Sequence, residues 1–159
     1  MKKEVEQRPV NQAIVNMLKM QESMNFHVHK NWRDQNFEWY RAIWVECAEL
    51  MDHYGYKWWK HHESDLAQIQ LELVDIWHFG MSAMLQNQKD HEALAEEISS
   101  SWNMISEKDF NFRESIEGLV SEALRCRSFS IPIFSQLISF SGLSFNELYV
   151  SYTAKNVLN

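Results

Sequence analysis

Cysteine, proline and glycine are all scarce in this chain: two, two and four among 159 residues. Cys47 and Cys126 form neither a paired framework nor a metal-ligand spacing, which excludes a disulfide scaffold and fits a reducing compartment. So little glycine and proline excludes collagen-like and linker-rich chains and favours long regular helices. Also missing is any apolar run near the ~18 residues of a membrane span. The start, MKKEVEQRPV, has two lysines with no apolar stretch behind them. A soluble cytoplasmic protein without a leader or anchor is therefore expected.

An excess of positive charge is missing too. The net charge of -7 argues against a nucleic-acid polymer as partner, because such binders carry a basic stripe that displaces counterions. An acidic chain can still bind a nucleotide through metal ions, which invert the local charge of a carboxylate cluster. What the sequence does hold is 45% hydrophobic and 13% aromatic residues, including seven tryptophans. With no repeats or low-complexity segments, this predicts one well-cored all-α domain over 1–159, an antiparallel helical bundle.

Helical spacing runs through most of the chain. From about Val10 to His27, Ile14, Leu18, Gln21 and Asn25 fall on one stripe, so two amides continue an apolar face. A polar stretch from His27 to Asn36 reads as a loop. From Phe37 to Tyr54, Ile43, Cys47, Leu50 and Tyr54 point inward. Gly55 ends that pattern, the connector YKWWKHHES follows, and Ser64 or Asp65 caps a helix reaching about Gln86. Its core side carries Ile69, Leu73, Ile76, Trp77 and Met84. A helix with Leu94 and Ile98 ends in the SSS run at 99–101, and Asn111 with Glu114 opens another reaching Arg125. Pro132 suits the first turn of a short helix stopping near Gly142, and Ser144 with Glu147 opens the last helix.

Two acidic pairs stand out against this background: Glu46 and Glu49 in ECAEL, and Glu72 and Asp75 in ELVDIWHF. Each sets two carboxylates about one turn apart on one edge of a helix. A single such pair commonly does no more than solvate a helix face. Here the second pair is attached to Trp77, His78 and Phe79, and ECAEL lies between Ile43 and Leu50, at the border of a buried face. If the two helices pack antiparallel, the pairs meet, and four converging carboxylates need a cation. A hard divalent ion such as Mg2+, which takes oxygen ligands and leaves positions for phosphates, fits best.

Other residues stay open between two uses. Gln21 and Asn25 serve either as polar links between helices or as readers of a nucleobase edge. Trp58 and Trp59 serve as core or as a stacking wall, with Lys57 and Lys60 beside them able to screen phosphates. His78, three residues after Asp75, suits a ligand or nucleotide contact but equally a structural place. The His27/His29 and His61/His62 pairs lack the partners of a zinc site.

ECAEL followed by ELVDIWHF resembles the dimeric dUTPases, all-α dUTP pyrophosphatases related to the MazG-like NTP pyrophosphatases. MLKMQESMN at 17–25, KWWK at 57–60 and LYVSYTAKNVLN at 148–159 extend the resemblance in the right order, while about 86–130 match mainly in pattern. The resemblance implies hydrolysis of dUTP, and of dUDP, to dUMP with release of pyrophosphate or phosphate. It implies magnesium held by Glu46, Glu49, Glu72 and Asp75. Glu46 is favoured as the carboxylate that deprotonates the attacking water, and Glu49 is the runner-up. Gln21, Asn25 and Trp58 would contact uracil, and His78 and Phe79 would lie against the deoxyribose. Lys155 and Asn159 would reach the phosphates or their metals. A homodimer whose partner completes each pocket is also implied. Family members usually continue past K-N-x-L-N into a basic, glycine-containing tail that closes over the phosphates. This sequence stops at Asn159, so the expectation is a form lacking that lid, with weaker phosphate neutralisation and water exclusion. The competing expectations are a MazG-like enzyme for another nucleotide and a lidless nucleotide-binding or dimerisation protein.

Overall fold

The computed structural model describes residues 9–105 and 110–158. These residues form an all-α bundle, with no strand among them. The helices are α1 (Asn11–Val28), α2 (Trp39–Tyr54), α3 (Leu66–Asn87), α4 (His91–Ser101), α5 (Phe112–Cys126), α6 (Ile131–Phe140) and α7 (Phe145–Leu158). None is long and apolar enough to cross a membrane.

Helix starts follow local side-chain chemistry. Asp65, Asp90, Asn111 and Ser130 each accept a hydrogen bond from a backbone N–H in the first turn of α3, α4, α5 and α6. At α7 the exchange is reciprocal: Ser144 Oγ accepts from the Glu147 N–H, and Glu147 Oε1 accepts from the Ser144 N–H. Gly55 ends α2 at φ 102°, where L side chains are strained, and a Cβ there would stand 2.6 Å from the His62 ring.

Helix α3 is the axis of the core. Trp77 is fully buried, stacks on Phe134 of α6 at 5.3 Å and meets Trp102 edge-on at 6.0 Å. Its indole N–H points at Met17 Sδ in α1, 3.4 Å away. Burial on this scale is worth roughly 1.5–3 kcal/mol per large side chain, so α3 anchors α1, α6 and the 102 turn together.

One local expectation needs correction. The 27–36 stretch is not a simple polar loop: α1 continues to Val28, and Trp32–Gln35 form a 3₁₀ turn whose Trp32 is buried. Arg33 ties this turn down, pairing with both carboxylate oxygens of Glu22 and donating to the Leu85 carbonyl at 3.1 Å. Between α2 and α3 the connector occupies 55–65, as the sequence suggests.

Candidate metal centre and adjoining cavity

Helices α2 and α3 run antiparallel along each other. His53, near the end of α2, lies 3.4 Å from Glu72, near the start of α3. Trp39, at the start of α2, donates to Gln86, near the end of α3, at 3.3 Å. This register brings the acidic pairs together. Glu46, Glu72 and Asp75 each offer a carboxylate oxygen, all within 4.8 Å of one another. Glu49 is exposed, one turn from Glu46 and outside the three-oxygen cluster, though its charge bears on Glu46 and Glu72.

Electrostatics make this cluster costly as bare anions. Burial pushes the Glu72 carboxyl up to about 8, and its contacts with Glu46 and Glu49 push the same way. Burial also raises Glu46, with the Glu49 charge adding to the effect, while Glu72 and the Lys155 ammonium partly offset it. Glu46 Oε2 and Glu72 Oε2 are buried with no hydrogen-bond partner among the described residues. Orphaned carboxylate oxygens in a three-oxygen cluster are the donor set of a hard divalent cation, so these residues fit magnesium. Lys155 Nζ pairs with Asp75 Oδ1, which makes the α7 ammonium the nearest fixed counter-charge.

A cavity of about 280 Å³ adjoins the cluster. Trp32, Phe37, Trp39 and Phe79 supply aromatic walls, with Met24 and Val28 beside them. Gln21, Asn25 and His78 are its polar members, and Asp75 and Lys155 complete its lining. Asp75 thus belongs to both the carboxylate cluster and the cavity.

A family model described as dUTPase matches residues 13–159. The chain belongs to the dUTPase family. Membership supports a pyrophosphohydrolase-type role and a nucleotide substrate. No curated protein matches the chain.

In this dUTPase-family chain, six of the residues singled out in the sequence line one cavity: Gln21, Asn25, Asp75, His78, Phe79 and Lys155. Trp58 and Lys60 do not. Both are exposed on the connector beyond α2, where Trp58 meets Trp59 edge-on at 4.6 Å and Lys60 borders a separate small hollow with Gly55 and His62. Asn159 lies outside the described residues. The aromatic wall of Trp32, Phe37 and Trp39 went unrecognised in the sequence, because it comes from the stretch that reads as a loop, from the residues just before α2 and from the first turn of α2. Ser82 and Tyr152 were also missed, although each is a polar group on a buried stripe: Ser82 is four residues after His78, and Tyr152 is three before Lys155.

Proposed function

We propose that this chain hydrolyses dUTP, and also dUDP, to dUMP with release of pyrophosphate or phosphate, using magnesium held by Glu46, Glu49, Glu72 and Asp75. The observation that carries this reading is Asp75, which is at once a member of the carboxylate cluster and a wall of an aromatic-lined cavity. A slot for a nucleoside therefore runs into a site that attracts a cation. Magnesium bound there would offset phosphate charge and lower the pKa of a bound water.

The chain's own residues do the rest. Glu46, with a raised pKa and an unpaired buried oxygen, takes the proton of the attacking water; Glu49, on the exposed rim, is the alternative. Lys155, paired with Asp75 in the structure, would be available to a phosphate oxygen with Asp75 holding a metal. Phe79 packs on the deoxyribose, and the polar members Gln21, Asn25 and His78 face the nucleoside or hold those that do. Trp58 is 89% exposed, so it and Lys60 serve the substrate across a homodimer in which each partner completes the other's pocket.

Comparing pyrophosphate release from dUTP, dTTP, dCTP and UTP tests the assignment. Preference for dUTP is expected, and preference for any of the others would sink the choice of base.

A further inference from the structure

Helix α2 carries a nitrogen donor on the edge that holds its two glutamates. His53 follows Glu49 by four residues, so Glu46, Glu49 and His53 stand on successive turns of that edge. The connector fastens the helix at this point. The His53 carbonyl accepts from the Asp65 N–H at 3.4 Å and lies 3.1 Å from His62 Nε2. The imidazole is one-third exposed and faces Glu72 of α3, with Nε2 3.4 Å from Oε1.

This separation does not suit a hydrogen bond. A charge-assisted N–H···O bond closes to about 2.7–2.9 Å. An imidazole nitrogen and a carboxylate oxygen that share one ion, each about 2.1 Å from it and subtending about 90–110°, stand roughly 3.0–3.4 Å apart. The distance is therefore that of two ligands of one cation. Glu72 offers a second, independent sign. It is 8% exposed, its Oε2 has no hydrogen-bond partner, and no Lys or Arg pairs with it among the described residues. Lys155 is paired with Asp75 instead.

His53 stands outside the set of Glu46, Glu72 and Asp75, whose oxygens gather within 4.8 Å. The oxygen-only centre thus has an imidazole on its flank. Magnesium gains little from such a ligand, because it demands oxygen, whereas imidazole suits first-row transition ions, whose affinities rise from Mn2+ to Co2+.

We propose that His53 and Glu72 hold a divalent transition ion between them, with Glu49 placed to join them, beside the oxygen-only magnesium centre. His53 then sets metal specificity, giving this chain a position for Mn2+ or Co2+ that carboxylates alone would not provide. The proposal rests on the reading of the cluster as a cation site and not on the choice of nucleotide. Solvent reaches His53, so an ion enters without any opening of the core.

Pulsed EPR of the whole chain tests this without a variant, using one equivalent of Mn2+ and excess Mg2+ to fill the oxygen-only centre. Modulation from a directly bound imidazole nitrogen is expected, and it should change when the histidines are ¹⁵N-labelled. Bound Mn2+ with an oxygen-only spectrum, or Mn2+ that stays free, overturns the proposal. His53→Ala assigns the nitrogen. The modulation should vanish in that variant, and a modulation that persists belongs to another imidazole and overturns the proposal. Calorimetry then compares Co2+ and Mg2+ on the wild type and on His53→Ala. Co2+ should lose about tenfold or more in affinity, while Mg2+ changes by less than about threefold. Equal losses for the two ions make His53 a simple partner of Glu72 and overturn the proposal, with the magnesium centre left standing. A wild type that binds neither ion overturns the cluster reading, and this proposal with it.

Discussion

Magnesium should bind this chain about 50-fold more tightly at pH 8 than at pH 6. Glu72 is held up to about 8, against an ordinary carboxyl value of 4.5, by burial and by the carboxylates beside it, and Glu46 is raised as well. The metal-free cluster therefore holds nearly a whole proton at pH 6 and about half of one at pH 8, and a cation must displace it. Affinity then rises about 50-fold over the two units, or about 2.3 kcal/mol. The sign follows from the direction of the shift. A carboxyl raised in the folded state stabilises the metal-free chain fully below about 4.5, and that contribution fades as pH rises through about 8. Magnesium restores what deprotonation removes. For a chain of this size each kcal/mol moves Tm by about 2–4 °C, so saturating magnesium should raise Tm by about 5–9 °C more at pH 8 than at pH 6. Scanning calorimetry at both pH values reads the difference, and titration in two buffers of different ionisation enthalpy counts the proton released. Glu72→Gln should bind magnesium weakly and without this pH dependence. Equal magnesium shifts at both pH values with no proton released would refute the reasoning.

Three further outcomes are expected. Tyr152→Phe keeps the ring but removes the hydroxyl from Gln21 Oε1 and from the Met17 carbonyl, 3.3 Å away, at a fully buried position. It should cost about 1–3 kcal/mol, read as a Tm several degrees lower; an unchanged Tm counts against the polar network. Glu22→Gln breaks the paired hold on Arg33 and should loosen the Trp32 turn that walls the cavity, raising the KM for nucleotide with little effect on kcat. A kcat loss at unchanged KM contradicts that role. Leu73→Ala, at a fully buried site in the middle of α3, should lower stability in urea by about 2–5 kcal/mol.

The helices and their buried faces were legible because their signals are local. Ile14, Leu18, Gln21 and Asn25 lie on one buried stripe as their spacing demands, and the caps at Asp65, Asn111 and Ser144 are formed. The meeting of Glu46, Glu72 and Asp75 was legible because it needs only two helices packed antiparallel. The aromatic wall was not. Trp32 is buried by a contact between Glu22 and Arg33, eleven residues apart, and by Arg33 reaching Leu85, neither of which leaves a periodic trace. Gln21 and Asn25 looked ambiguous between helix linkage and base recognition for a physical reason. The spacing of an amide on a stripe does not reveal who its partners are, and in the fold Gln21 spends its whole hydrogen-bonding capacity on Asn25, Ser82, Tyr152 and His78. Trp58 and Lys60 stand apart from the cavity within one chain, and the sequence carries no sign of which surface an exposed connector meets.

Magnesium-dependent hydrolysis of dUTP, the reaction proposed for the carboxylate cluster beside the cavity, is tested most directly by turnover of dUTP by the 159-residue chain, with and without magnesium, beside Glu46→Gln. dUMP and pyrophosphate should form only when magnesium is present, and Glu46→Gln should lose about 100-fold or more in kcat with dUMP still bound. Binding of dUTP without turnover by the wild type, or wild-type turnover by Glu46→Gln, would contradict it.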